Sequence, residues 1–324
     1  MVAFRRRRTP PPLPIRDGLN PSRVRVPEGT TLTAQEFLSH LILSQRHRHP
    51  EDNSEAILAR FHAGEVRLRD GQALAPGDTL RPGTDVWFYR TPAPEKPVPY
   101  EIRIIHEDES LLVVDKPPFL ATMPRGEHIT ETATVRLRRL TGNNDLTPAH
   151  RLDRLTSGLL LFTKRPEIRG AYQELFASRK VTKTYEAIAP YDAALAAACG
   201  GFRGSDSGEA RVEHPVEWRS HITKTPGDLQ ARTWPEREPN AHTTLLGIRP
   251  DPDGKWAAYT LRPHTGKTHQ LRMHMAAAGV PIQGDPLYPV VRREEEDFNK
   301  PLRLRAIGLE FIDPLNGEKR VYSV

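Results

Sequence analysis

The amino-acid sequence predicts an α+β protein in two parts, and three observations carry that prediction. Before residue 90, two helix-like stretches precede a short alternating run. From Thr91 to Pro99, four prolines in nine residues leave no hydrophobic period, so a stiff linker is expected over 91–99. From residue 100 onward, strand-like runs are interleaved with three helical stretches.

Residues 1–22 are rich in Pro and Arg and are expected to form a disordered basic tail. The cluster Arg5 to Arg8 reads either as a nucleic-acid arm or as a solvated tail. The span 23–90 is expected to be a small module. Phe37, Leu38, Leu41 and Ile42 recur on one helix face, Thr33 is the expected N-cap, and Glu36 completes a capping-box pattern. A second helix is expected from near Ser54, with Ile57, Leu58 and Phe61 apolar and Gly64 at its end. Val66 to Arg69 then alternates, Asp70-Gly71 signals a turn, and Asp85 to Arg90 closes as a strand. The cadence Gly-Glu-Val, Asp-Gly, Pro-Gly-Thr-Asp-Val resembles a small alpha-L type RNA-binding module shared with a ribosomal small-subunit protein.

The span 100–324 forms the second part. Ile102 to His106 and Ser110 to Asp115 are strand-like, and Thr132 to Thr141 is a short helix with Arg136, Arg138 and Arg139 on a basic face. The stretch His150-Arg151-Leu152-Asp153-Arg154-Leu155-Thr156-Ser157-Gly158 follows, with a Thr-Ser-Gly turn leading into the buried strand Leu159 to Phe162. Glu167 to Ser178 is helical. Along Val181 to Ala189, strand alternation puts Lys183 and Tyr185 on one face and Glu186 on the other. Gly200 to Asn240 is a sheet strand (Val212 to Trp218) with a polar surface excursion, and Leu245 to Ile248 with Trp256 to Pro263 form an antiparallel pair. Thr265 or Thr268 is expected to cap a last helix carrying Leu271, Met275 and Ala278, which Gly279 stops.

Charge and composition narrow the functional classes. A formal net charge of +6 favours a polyanionic partner. The single cysteine, Cys199, excludes an internal disulfide framework and points to a reducing, cytoplasmic setting. No apolar stretch has the length of a membrane span, and Met1 to Phe4 with the following arginines is no secretory signal. No coiled-coil pattern is present, so a monomer is expected.

Asp153 stands between Arg151 and Arg154 on a loop that feeds the core. An aspartate is ionised at neutral pH, and neighbouring cations deepen that preference, which suits a nucleophile and spoils a general acid. Glycoside-hydrolase chemistry would need a second carboxylate in a comparable setting, and neither Glu186 nor Asp285, in a Gly-Asp-Pro turn, offers one. His264, His269 and His274 are spaced five and five, which does not gather three rings on one helix face, so no metal is expected there. Gly266 lies in no phosphate-cradling glycine loop, so no nucleotide cofactor is expected either.

With those residues in view, the sequence resembles the RluA-type RNA pseudouridine synthases. The block 150–158 looks like the family signature, Lys183-Thr184-Tyr185-Glu186-Ala187 its Lys-x-Tyr-x-Ala strand, and Val113 to Pro118 its opening Lys-Pro segment. Thr265 to His274, followed by Gly284 to Tyr288, resembles its last helix and turn. Two residues depart from the pattern: Lys267 where Arg is usual, and Phe119 where Gly commonly follows the Lys-Pro pair.

The resemblance implies a catalytic domain built on a mixed, largely antiparallel sheet flanked by helices and loops. It implies isomerisation of uridine to pseudouridine in RNA without cofactor or metal. Asp153 would be the nucleophile, attacking either the anomeric carbon or the uracil ring. Tyr185 would stack on the flipped base and assist proton removal, and Arg272 would pair with Asp153. Arg151 would fill the gap left by the extruded nucleotide, with His150, Arg154, Lys183, Lys267 and His269 as further RNA contacts. Large-subunit ribosomal RNA is the expected substrate and transfer RNA the second, with the 200–240 segment tuning which RNA is accepted. The competing functions are a non-catalytic RNA-binding or ribosome-assembly factor on the same fold and a glycosidase acting on free nucleosides.

Overall fold

Thr33 and Glu36 close the capping box that starts the first helix. The Thr33 hydroxyl accepts from the Glu36 N–H (3.3 Å) and the Glu36 carboxylate from the Thr33 N–H (2.9 Å). The computed structural model in which they do so describes residues 11–29, 31–199 and 214–324. These residues divide into two compact units. One holds the chain up to Pro97 together with Met123–Asn144, and the other holds Val98–Thr122 and Asp145–Val324.

In the first unit, β1 (Ser22–Arg25), β2 (Val66–Leu68) and β3 (Asp85–Phe88) form an antiparallel sheet in the order β1-β3-β2. With α1 (Ala34–Leu43) and α2 (Ser54–His62) they enclose Phe37, Leu38, Ile42, Ile57, Phe61 and Val86. The second helix begins at Ser54 as expected and is capped by Asn53, whose side chain accepts from the N–H groups of Glu55 (3.1 Å) and Ala56 (3.0 Å).

The tail expected to be disordered over 1–22 is packed over its described part. Leu13 is buried, the Pro14 carbonyl accepts from the Tyr89 hydroxyl (2.8 Å), and the Arg16 guanidinium lies 3.8 Å from the Tyr89 ring centroid. One apolar residue and two tyrosine contacts offset the charge that the sequence offered to solvent. The Arg5 to Arg8 cluster lies outside the described residues. The expected linker is tied down as well: the Glu95 carboxylate accepts from the N–H groups of Ile129 (2.9 Å), Thr130 (2.6 Å) and Glu131 (3.2 Å). Met123–Asn144, which a boundary at residue 100 would assign to the second part, belongs to this unit. Its helix α3 (Ala133–Thr141) uses its basic face internally, with Arg138 on the Gly18 carbonyl (3.0 Å) and Arg139 on the Asp17 carboxylate (2.5 Å).

The second unit is organised on a ten-stranded sheet. Its elements in chain order are β4 (Arg103–Glu107), β5 (Leu111–Lys116), β6 (Thr147–Pro148), β7 (Ser157–Thr163), α4 (Arg169–Ala177), β8 (Thr182–Pro190) and α5 (Ala193–Ala198). There follow β9 (Val216–Ser220), the small hairpin β10 (Ile222–Thr223) and β11 (Arg232–Thr233), β12 (Ala241–Pro250), β13 (Trp256–Pro263), α6 (Gln270–Ala277), β14 (Leu304–Ile312) and β15 (Lys319–Ser323). The sheet order is β4-β5-β7-β14-β8-β13-β12-β9, with β15 beside β14 and β6 beside β7. The β7–β14 pair is parallel and the other pairs are antiparallel, so the sheet is mixed and largely antiparallel as the sequence led us to expect. Helix α4 packs Tyr172 and Leu175 against Leu159, Leu161 and Phe311, and α6 covers Leu245, Tyr259, Leu261 and Leu304.

Two local expectations change. Gly158 does not end a turn; it lies in β7 at φ +107, and a Cβ there would stand 2.2 Å from the Ala306 carbonyl oxygen. The close approach of β14 therefore demands the glycine. Neither Thr265 nor Thr268 caps α6, whose N-cap is His269 at φ +59 without a side-chain cap bond. The Thr265 hydroxyl instead donates to Gln270 Oε1 (2.6 Å). The alanine-rich run before Cys199 is helix α5, and burial pushes the Cys199 thiol up, consistent with an inert residue. Residues 200–213 of the expected excursion lie outside the described residues. Among the described residues no helix is long and apolar enough to cross a membrane.

Candidate active site

The turn that carries Asp153 is pinned from both sides by the end of β5 and the segment after it. The Thr122 hydroxyl donates to the Leu152 carbonyl (2.8 Å) and accepts from the Leu152 N–H (3.1 Å). The fully buried Lys116 donates to the carbonyls of Pro117 (2.8 Å), Leu120 (2.8 Å) and Arg154 (3.2 Å). Burial pushes its ammonium down to about 7, while the Asp153 charge pulls the other way. Asp153 itself closes the turn by accepting, at its carbonyl, from the Thr156 N–H (3.0 Å). The opening Lys-Pro segment thus sets the backbone on which Asp153 stands.

That loop faces a cleft of about 390 Å³. Asp153, Tyr185 and Arg272 all line it, one from the turn, one from β8 and one from α6. Arg151, His150, Lys183, Lys267 and His269 line it too. Alternation on β8 is what brings Lys183 and Tyr185 to the same wall. Lys183 is half-buried, makes no ion pair among the described residues, and is pushed down by burial and by Arg179. Tyr185 is pushed well above the usual phenol range by burial and by the Asp153 charge, so its hydroxyl keeps its proton at neutral pH.

Arg272 does not pair with Asp153. Its guanidinium is buried and bound in two places to the Asp285 carboxylate, Nε at 2.7 Å and Nη2 at 2.5 Å. The planar fork matches a carboxylate in just this way, and Asp285 also accepts from the N–H groups of Leu287 (2.8 Å) and Tyr288 (3.1 Å). Asp285 is the residue the sequence marked as a turn former, and its turn chemistry is what presents it to Arg272. Arg154, unlike Arg272, does not line the cleft: its guanidinium pairs with Glu296 (2.5 Å) and reaches the Phe119 carbonyl (3.3 Å).

His150 lines the cleft but is held as a structural group. Its ring stacks on Phe176 at 4.2 Å, and Nε2 accepts from the Leu161 N–H (3.2 Å). Burial, then Lys183, pushes it down to about 3, so it is neutral and brings no charge to a phosphate. His269 pairs with the Tyr288 hydroxyl (2.9 Å) and is pushed down to about 4 by burial and Arg272. Arg151, Lys183 and Lys267 are therefore the cations left for a polyanion.

Several lining residues escaped the sequence: Phe176 and Gln173 of α4, Thr156, Leu304 and Gln270. Buried Gln270 ties α6 to β12, donating to the His242 carbonyl and the Thr243 hydroxyl, both at 2.9 Å. Phe119, the departure from the family's glycine, has φ +65, a conformation that glycine adopts freely. Its ring lies 5.1 Å from Phe298, edge to face, and 6.4 Å from Tyr100.

The sequence model described as RNA pseudouridylate synthase matches residues 110–277, which span the pinned turn, β8 and α6. This chain belongs to that family. As a member it is an isomerase that converts uridine to pseudouridine in RNA, and the RluA-type blocks of its sequence carry the same assignment. It is similar to the ribosomal large subunit pseudouridine synthase D of Xanthomonas campestris, with 28% identity over 83% of this chain and 80% of that protein. It is also similar to the tRNA pseudouridine(31) synthase of Saccharomyces cerevisiae, with 33% identity over 71% of this chain and 62% of that protein. The structure of Human RNA Pseudouridylate Synthase Domain Containing 1 shares the fold, with a TM-score of 0.51 over 69% of this chain and 83% of that one, at 24% identity. For a pseudouridine synthase the cleft has a consistent chemistry: a carboxylate, an aromatic side chain beside it, and cations among its lining residues.

Proposed function

We propose that this chain modifies specific uridines of large-subunit ribosomal RNA, with Asp153 as the nucleophile acting on a flipped-out nucleotide. The observation that carries the reading is the pinned turn: Asp153 faces the cleft while both neighbouring carbonyls, of Leu152 and Arg154, are held by buried donors. A backbone fixed on both sides of Asp153 leaves less conformational freedom to be lost on attack. Attack at the ribose C1′ or at the uracil ring forms one bond to Asp153. The C1′–N1 bond breaks, the base turns, C1′ bonds to C5, Asp153 is released, and the C5 proton passes to water as N1 takes one up.

Tyr185 serves as the stacking platform for the flipped base, and its retained proton makes the hydroxyl a hydrogen-bond donor rather than a base. Arg151, Lys183 and Lys267 hold phosphates. Arg272 acts through Asp285, fixing the wall of the cleft. The breadth of the match to a ribosomal large subunit enzyme supports the ribosomal substrate, and the higher identity to a tRNA enzyme favours transfer RNA as the second reading.

Asp153→Asn is expected to abolish pseudouridine formation while changing RNA affinity less than about threefold, since phosphate contacts dominate affinity. Mass-spectrometric nucleoside analysis and filter binding measure the two, and turnover near the wild-type rate would overturn the nucleophile. A pseudouridine map of ribosomal and transfer RNA, with and without the gene, tests the substrate. Loss confined to transfer RNA transfers the proposal to the second reading, and loss of none leaves the non-catalytic factor.

A further inference from the structure

His264, His269 and His274 follow one another at equal spacing and end in three different surroundings. His269 meets Tyr288 in the cleft, and His274 is buried between the hydroxyls of Thr243 (2.9 Å) and Ser220 (2.8 Å). His264, just past β13, stands beside two residues far away in sequence, His242 of β12 and Glu217 of β9. The strand ladder explains the meeting. The His264 N–H donates to the His242 carbonyl (2.9 Å), which makes the two histidines cross-strand neighbours. Glu217 faces Thr244, two residues along β12 and so on the same side of the sheet as His242. The imidazoles stack with centroids 4.2 Å apart, and His242 Nε2 contacts Glu217 Oε2.

We propose that Glu217, His242 and His264 form a binding site for a divalent transition-metal ion of the Zn²⁺ type, which clips the outer strand β9 to β12 and β13. One ligand atom from each of the three lies within 4.8 Å of the others. A tetrahedral zinc ion holds ligand atoms about 3.3 Å apart, so rotation about side-chain bonds closes the site while the strands stay in place. Two imidazoles with one carboxylate suit Zn²⁺, Ni²⁺ or Cu²⁺ and are a poor match for Mg²⁺ or Ca²⁺.

Thr244 supplies the orientation that such a site needs. Its hydroxyl donates to Glu217 Oε1 (2.8 Å) and lies 2.7 Å from His264 Nε2. A hydroxyl has a single proton, and with that proton given to Glu217 it must accept from His264 Nε2–H. His264 is then the tautomer whose Nδ1 lone pair is available to a metal. Arg219 and Arg262 act on the same cluster and oppose a cation, so affinity in the micromolar rather than the nanomolar range is expected. None of the three ligands lines the catalytic cleft, so the ion is structural.

The test uses the full chain, stripped with a chelator and titrated with Zn²⁺ by calorimetry and with Co²⁺ by visible absorption. One equivalent of each is expected to bind, with a rise in melting temperature. Glu217→Gln, which keeps an acceptor for the Thr244 hydroxyl and removes the charge, and His264→Ala are each expected to weaken binding at least about tenfold and to erase the thermal shift. His47→Ala, at an exposed histidine of the other unit, leaves both unchanged. Absence of saturable binding up to about 100 µM Zn²⁺, or binding equally tight in the Glu217→Gln and His264→Ala variants, would overturn the site.

Discussion

Arg272 and Asp285 carry opposite charges into a place that water does not reach, and each satisfies the other through two hydrogen bonds. Removing one partner strands the other, so Asp285→Asn and Arg272→Met are each expected to cost about 3–5 kcal/mol of stability, read by urea unfolding. A double-mutant cycle of Arg272→Met with Asp153→Asn should give a coupling below about 0.5 kcal/mol; a larger value would mean that the arginine reaches Asp153 in solution. Phe119 sets two effects against each other. Its left-handed backbone costs about 1–2 kcal/mol, whereas its buried aromatic side chain contributes about 3–5 kcal/mol, so packing wins and Phe119→Gly should destabilise. At Tyr185 the hydroxyl and the ring can be separated. Tyr185→Ala should lower kcat/KM on RNA by about 10–100-fold through lost stacking, and comparison with Tyr185→Phe isolates the part owed to the hydroxyl.

At the scale of elements, the same physics decides what the sequence discloses. The capping box at Thr33 and Glu36, the alternation of Lys183 and Tyr185, and Gly279 after α6 depend on neighbours within a few residues, and they were legible. The partner of Arg272 lies thirteen residues away across a turn, and nothing local distinguishes Asp285 from Asp153 as its mate. Gly158 makes the same point, because its glycine looks like turn chemistry until β14 is seen against it. Gly158→Ala puts a methyl group into the β14 backbone at a positive φ, and a loss of several kcal/mol with an unsettled β7–β14 pair is expected, visible as faster amide exchange at both strands.

For the whole molecule, the buried histidines link stability to pH. Burial pushes His150 down to about 3 and His269 and His274 to about 4, so below pH 6.5 the unfolded chain binds protons that the folded rings refuse. Their contribution is complete above about pH 6.5 and is lost progressively as the pH falls toward 4. Unfolding free energy should therefore drop between pH 7 and 5. His274→Gln should flatten the drop by about 1–2 kcal/mol, and an unchanged slope would mean that the ring is protonated in the fold. The sheet order has a consequence in time. Strand β14 lies between β7 and β8, and the Ser157 hydroxyl meets the Leu304 carbonyl across 147 positions of chain. On a ribosome the Asp153 turn, the Tyr185 strand and the Arg272 helix are all synthesised before the strand that joins them. An emerging chain thus holds Asp153, Tyr185 and Arg272 with a gap at the centre of its sheet, and the long loop closure makes the last step slow. The enzyme should acquire activity late and in a single step, when that gap is filled.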